Sequence, residues 1–464
     1  MRQTIRRLLV WVCGLMAWQT LGMAETPGLV AIQDARVVTV SGAVLEKGTV
    51  VIRNGIITDV GASVAVPKGA WIVDGKGLTV YPGLIDALST WGIPEAAGAA
   101  SAAGATGRGA APAPPSAAPG AAMASAPRSW GPQDRPGTTS WVKAADLVKP
   151  TDRRIETARG AGFTTAITFP KQGLVAGQGA VVNLGGESSG QMVVDPSAGL
   201  YLSMTPSGYS GYPSAPMGIL AYFRQLWIDA EYYKTAKALY AQNPSAIPRP
   251  EYDRALEGVL EAKRVMLPAA SPIAMERMLK LASELKSPFI FYGVTQGYEM
   301  ADRLKQTATP VILNVKWPTR ERDADPERVD SLRTLEIRDK APTSPAALAA
   351  AGVKFAISSD GIDTPRDVIR ALKKSIDVGL KKEDALKALT LNAAEIYGLA
   401  SRLGSIDKGK IANLVVTDGD LFDDRTKVKF VFVDGVKYIP PPETPAGPGG
   451  GFGGRPTAAP GEEN

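Results

Sequence analysis

The chain has 464 residues, 45% of them apolar and 21% charged, with a mean hydropathy of −0.03. That is enough for one large domain and a smaller satellite, and it excludes a polytopic membrane protein. The formal charge of +6 is scattered, with no dense Lys/Arg run interleaved with aromatics, so a nucleic-acid partner is not indicated.

The first residues have the pattern of a targeting signal. Arg2, Arg6 and Arg7 form a positive start, and residues 8–17 are an apolar run too short to span a bilayer. Gly22 and Ala24 supply the small residues a signal peptidase reads, so residues 1–24 are expected to be a leader cut before Glu25. The protein is then exported, periplasmic or secreted, with no transmembrane domain after cleavage; an uncleaved anchor is the alternative. The only cysteine, Cys13, lies in this segment, preceded by Val12 where a lipid-attachment signal wants a smaller residue. The mature chain would therefore have no disulfide, no thiolate metal site and no cysteine nucleophile.

From 29 to 80 the chain alternates in short β-type runs, with Asn54-Gly55 and Asp74-Gly75 as turn signals. Residues 413–436 do the same around Asp434-Gly435. A few strands at each end cannot bury a core alone, so both ends are expected to join one β-sandwich, 25–80 plus 405–440. Between them, β-like and helical runs alternate. FTTAITF and GAVVNL are β-like; 217–241, 251–264 and 273–285 have helical spacing; SPFIFYG is a strand. A helix over 299–305, the strand PVILNV, the helix PAALAAAG, the strand VKFAISS and the helix RDVIRALKKSIDVG follow. Such alternation predicts parallel strands with crossover helices. No GxGxxG joins a strand to a helix, so dinucleotide binding is unsupported. An insert over 95–137, almost all Ala, Gly, Pro and Ser to residue 127, and the tail 441–464 have too little bulk to offset their ordering entropy.

YPGLIDALSTWG, residues 81–92, resembles the first barrel strand of the amidohydrolase superfamily, which usually reads PGLIDxHxH. DALKALTLNAAEIYGLASRLGSIDKGKIANLVV, residues 384–416, is similar to the closing helix and return strand of the same enzymes. GFTTAITFPKQGLVAGQGAVVNL looks like the second-strand region of the imidazolonepropionase-like branch. The resemblance implies an α/β fold: a TIM (β/α)8 barrel over 81–404 beside the composite β-sandwich. It also implies hydrolysis of non-peptide C–N bonds, in cyclic amides or dipeptides, with zinc or another divalent metal activating water.

Carried over residue by residue, that metal site fails. The HxH pair falls on Leu88 and Thr90, the strand-five histidine at or near Pro268, and the strand-six histidine at or near Gly293. The chain contains no histidine anywhere. The strand-eight aspartate survives as Asp360, and the strand-four ligand has no clear position. No metal cofactor is therefore expected, although an oxygen-only site for a hard cation stays as an alternative.

Asp360 has two readings, an acid or base at the barrel mouth or a structural carboxylate bonded to the loop from Gly361. Asp86 reads as a strand-end hydrogen-bonding residue, and Tyr292 as packing or a phenolic acid. The aromatic run Tyr222, Phe223, Trp227, Tyr232, Tyr233 and Tyr240 reads as core, or else as a wall for a ligand or partner subunit. Lys373, Lys374, Lys381 and Lys382 read as a solvated helix-end cluster. The expected function is a homologue without metal-dependent hydrolysis that serves as a partner subunit, in a homo-oligomer or beside an active relative. The alternatives are an active C–N hydrolase using Asp360, without metal or with an oxygen-only site, and a ligand-binding module.

Overall fold

The computed structural model describes residues 28–94 and 135–440, apart from 207, 208, 210, 321, 322, 324, 326 and 328. The expected leader, most of the insert and the tail lie outside the described residues. Among the described residues, no helix is long and apolar enough to cross a membrane.

Both ends of the chain build one sheet. Strands β1 (Leu29–Val37), β2 (Leu45–Arg53), β3 (Ile56–Gly61), β4 (Trp71–Asp74) and β5 (Thr79–Pro82) come from the start. The other end supplies β14 (Leu414–Thr417), β15 (Val428–Val433) and β16 (Val436–Tyr438), and the order is β16-β15-β14-β5-β1-β2-β3 with β4 also on β1. Strand β14 pairs antiparallel with β5, so one ladder ties the two ends together. The core beneath draws on both, with Val30, Ile32, Val50 and Ile57 against Leu414, Val416 and Phe432. Asn54-Gly55 and Asp434-Gly435 both turn through positive φ, as a tight hairpin with right-handed strands requires. The two tips touch: a Cβ on Gly435 would sit 2.7 Å from the Gly55 Cα, so only glycine fits.

The second sheet is the barrel. Its strands are β6 (Leu84–Ser89), β7 (Phe163–Thr168), β8 (Val175–Asn183), β9 (Val193–Leu202), β10 (Val265–Pro268), β11 (Phe289–Val294), β12 (Val311–Asn314) and β13 (Phe355–Ser358), neighbours in that order. Helices of six residues or more are α1 (Arg153–Gly160), α2 (Pro216–Gln242), α3 (Arg254–Leu260), α4 (Pro272–Leu285), α5 (Ala301–Gln306), α6 (Leu332–Lys340), α7 (Ser344–Ala351), α8 (Pro365–Asp377), α9 (Lys382–Ala388) and α10 (Leu391–Ile396). Strands β6, β7 and β8 are buried along their whole length, because helices cover the outside and side chains fill the inside.

One strand departs from the all-parallel pattern: β8 runs antiparallel to both β7 and β9. The reason lies in the link. Only residues 169–174 separate β7 from β8, whereas a parallel crossover needs a dozen or more. The β7–β8 turn therefore hangs over the carboxyl ends of the strands and carries Lys171 there.

The barrel's other end is sealed by the segment after β13. Asn392 Nδ2 donates to the Phe355 carbonyl at the start of β13, and Arg264 Nη1, just before β10, donates to the Ile396 carbonyl. Ala393, Tyr397, Leu399 and Leu403 then pack into the barrel interior from below. A buried polar knot joins this base to the terminal sheet. Asn413 Nδ2 donates to Thr165 Oγ1 (3.0 Å) and Asn183 Oδ1 (2.8 Å), Asp434 N donates to Asn413 Oδ1 (2.9 Å), and Asn183 Nδ2 donates to Asp434 Oδ2 (2.8 Å).

Candidate active site at the barrel mouth

The carboxyl ends of the strands are where a barrel of this kind places its chemistry. The side chains that converge there are mostly apolar. Leu88 of β6 is 1% exposed and shares the interior cluster with Phe169, Tyr201, Met266 and Tyr292. Phe169 and Tyr201 stand 5.8 Å apart, centroid to centroid, and Tyr201 and Tyr292 4.8 Å. Gly179 of β8 makes room for this plug, since a Cβ there would lie 2.2 Å from the Phe169 ring. Tyr292 donates its hydroxyl to the Leu202 carbonyl at 2.7 Å. Burial holds the Tyr201 and Tyr292 phenols well above their usual range, with the nearby Asp360 charge acting in the same direction. Both stay protonated at neutral pH.

The positions that replace the expected ligands are now placed. Thr90 turns to Arg154, whose Nη1 donates to the Thr90 hydroxyl at 3.0 Å while Nη2 donates to the Thr90 carbonyl. Asp152 grips the same guanidinium. Pro268 closes β10 and has no donor side chain. Gly293 sits at an irregularity in the β11–β12 ladder with φ +73°, and a Cβ there would meet nothing within 4 Å. On the fourth strand, where sequence placed no ligand, Tyr201 faces the interior.

Two carboxyls remain. Asp86 is fully buried and accepts three hydrogen bonds, from Ser359 N (3.0 Å), Leu88 N (3.2 Å) and the Ser359 hydroxyl. The strand ladder runs from β13 to β6 without joining its two ends, so Asp86 links β6 to the residue just past β13. Burial pushes its pKa up to about 7, against the opposing pull of those bonds and of the Lys171 charge. Asp360 forms an ion pair with Lys171 across the mouth, each about a quarter exposed. Its backbone carbonyl accepts from Asn314 Nδ2 at 3.0 Å, which ties strands β12 and β13 at their ends. The loop from Gly361 is not its partner. Neither the Lys171 pairing nor the interior Tyr201 was visible in the sequence.

A divalent metal does not fit these residues. It needs several lone-pair donors aimed at one point. Here one expected donor is a buried leucine, one is bonded to arginine, two have no donor group, and Asp360 already holds a cation. Among the described residues, no three His, Cys, Asp or Glu side chains gather as a metal would require.

The aromatic run divides. Phe223, Trp227 and Tyr233 of α2 are buried against the barrel, while Tyr232 is 76% exposed. Of the lysine cluster, Lys373 reaches Asp424 at 3.6 Å and Lys382 reaches Asp420 at 2.6 Å.

A sequence model described as the Amidohydrolase family matches residues 261–437. An adenine deaminase of Methanothermobacter thermautotrophicus is 36% identical over 120 residues, 24% of this chain and 21% of that protein. The chain thus matches about a fifth of the length of this curated relative. The crystal structure of an amidohydrolase from Thermotoga maritima is similar over 89% of this chain and 100% of that one, with 25% identity and a TM-score of 0.70. Molinate hydrolase shares the fold at 15% identity and a TM-score of 0.50, over 88% and 94% of the two chains. Residues 261–437 thus match the amidohydrolase family, and nearly the whole chain shares the fold of the Thermotoga maritima amidohydrolase.

Proposed function

We propose that this chain is an exported amidohydrolase homologue that no longer carries out metal-dependent hydrolysis and serves as a binding or assembly subunit. The observation that carries this reading is the mouth of the barrel. Leu88, Phe169, Tyr201 and Tyr292 fill the space, and the surviving Asp360 is held by Lys171. Water activation needs an acid centre to lower its pKa, and the residues present offer no ligand set for one. The family and its relatives are hydrolases, but chemistry belongs to sites rather than folds.

The test is direct. The mature chain, purified without a histidine tag and reconstituted with Zn²⁺, Mn²⁺ or Mg²⁺, should hold no stoichiometric metal by mass spectrometry. It should not turn over cyclic amides, dipeptides or adenine. A full equivalent of metal together with chelator-sensitive turnover would overturn the proposal.

A second reading rests on the Lys171–Asp360 pair itself, a base beside an ammonium at a barrel mouth. In that case the chain would cleave C–N bonds without metal. Asp360→Asn would then abolish turnover with little change in the melt, and a variant keeping full activity would sink it.

A further inference from the structure

Helix α2 is longer than the body it packs on. It runs 27 residues, about 40 Å at 1.5 Å per residue, against 14 or fewer for every other labelled helix. Its buried residues, Ile219, Leu220, Phe223, Leu226, Trp227, Ala230 and Tyr233, end at Tyr233. Residues 234–242 therefore extend past the barrel with Leu239 exposed. These last turns are held by the helix they continue and by the Lys237–Glu257 ion pair, which leaves their outer face open to a neighbour.

The outward face has the spacing of a seam. Ala221, Gln225, Ile228, Tyr232, Thr235 and Leu239 are all exposed and follow one another at intervals of four and three, the pattern of one helix packing along another. Met217 extends it by a turn. Met217 is 74% exposed, Ile228 62%, Tyr232 76% and Leu239 46%.

We infer that this face binds a second copy of the chain, with the two α2 helices antiparallel about a two-fold axis near residue 230. That register is self-complementary. It sets small Ala221 against large Leu239, Gln225 against Thr235, and Ile228 against Tyr232, each pairing occurring twice. It also lays the projecting end of each helix on the exposed first half of the other. With about 200 Å² for a large side chain, the four large exposures come to roughly 500 Å² per copy. Doubled across the axis, that reaches the ~1,000 Å² a specific interface must clear. The chain's own insert and tail are poor occupants, since Ala, Gly and Pro supply no bulky row to fill the seam. The pairing does not depend on whether the chain hydrolyses anything.

Sedimentation equilibrium of the mature chain at tens of micromolar should give a dimer, and Ile228→Glu/Tyr232→Glu should give a folded monomer whose melt, unlike the wild type's, does not vary with protein concentration. The only cysteine, Cys13, lies in the expected leader, so the mature chain is a cysteine-free background for a register test. Gln225→Cys/Thr235→Cys should form a disulfide-linked dimer under mild oxidation, and neither single cysteine should. A monomeric wild type, a dimer that survives both glutamates, or cross-linking by one cysteine alone would each overturn the inference.

Discussion

The base and the mouth of this barrel lie at opposite ends of the same strands and differ in almost every respect. At the base, the segments that resemble the family are the ones making the contacts. The run after β13 seals the interior, and Asn413 bonds to Asn183, Thr165 and Asp434. At the mouth, the same strands lead to leucine, threonine, proline and glycine where the resemblance expects ligands. The difference separates what a fold needs from what a reaction needs. The base has to satisfy buried polar groups whatever the protein does. The mouth has no such obligation, and apolar side chains can fill it once no ion has to be held.

The largest effect should come from breaking the base. Asn413 is 6% exposed and its side chain makes three hydrogen bonds, so Asn413→Ala strands the Asp434 N–H, while Asn183 Oδ1 keeps the Thr165 hydroxyl. Stranding one buried partner costs about 1–3 kcal/mol, and a loss of ~2 kcal/mol should lower the melting temperature by several degrees. A loss below about 0.5 kcal/mol in urea titration would mean that water reaches this junction and that the terminal sheet is docked by apolar packing alone.

Much of the base was legible in sequence because it is written in local patterns. The Asn54-Gly55 and Asp434-Gly435 turns, the crossover helices and the closing segment all announce themselves within a dozen residues. So did the departure from the motif at Leu88 and Thr90, where the resemblance expects histidines, since it needed only a motif and a count of histidines. The rebuilt mouth was not legible in that way. Lys171 and Asp360 are 189 positions apart, and Asp86 and Ser359 are 273, so no spacing rule connects them. Tyr201 lies in a strand whose apolar run is broken by Pro196 and Gly199, which hid both the strand and its inward side chain. The antiparallel β8 was within reach, because six residues cannot hold a crossover helix, but alternation of strands and helices elsewhere suggested a parallel sheet throughout.

Asp86 offers a sharper comparison, because it belongs to a family-like motif and yet closes the mouth. Its folded-state pKa, about 7, lies above the ordinary aspartate value of 3.8, so the folded state holds the proton more tightly than the unfolded chain. Its contribution to stability is complete below about pH 4 and is lost as pH rises to about 7. Asn suits the same position, since its Oδ1 can accept from Ser359 N and Leu88 N while Nδ2 donates to the Ser359 hydroxyl. Asp86→Asn should therefore gain stability relative to the wild type between pH 5 and pH 8, in melts run side by side. Parallel profiles would mean that the carboxyl is solvated and that the barrel closes without it.

The smallest effect should come from the Lys171–Asp360 pair. Lys171 and Asp360 are partly open to water, their side chains 23% and 30% exposed, so losing the pair should cost no more than about 1 kcal/mol. Lys171→Met keeps the apolar stem and removes only the charge. Its informative consequence is at a distance. The Lys171 ammonium also helps hold the Asp86 carboxyl down, so its removal should raise the Asp86 pKa, and the loss of stability that begins near pH 4 should continue to a higher pH and go deeper. The variant would thus be slightly less stable at low pH and fall further behind the wild type above about pH 7. If the midpoint of the pH profile stays where it was, Lys171 serves Asp360 alone, and the mouth is two separate charge sites. If it moves, a single ammonium balances both carboxyls at the point where the family places a metal.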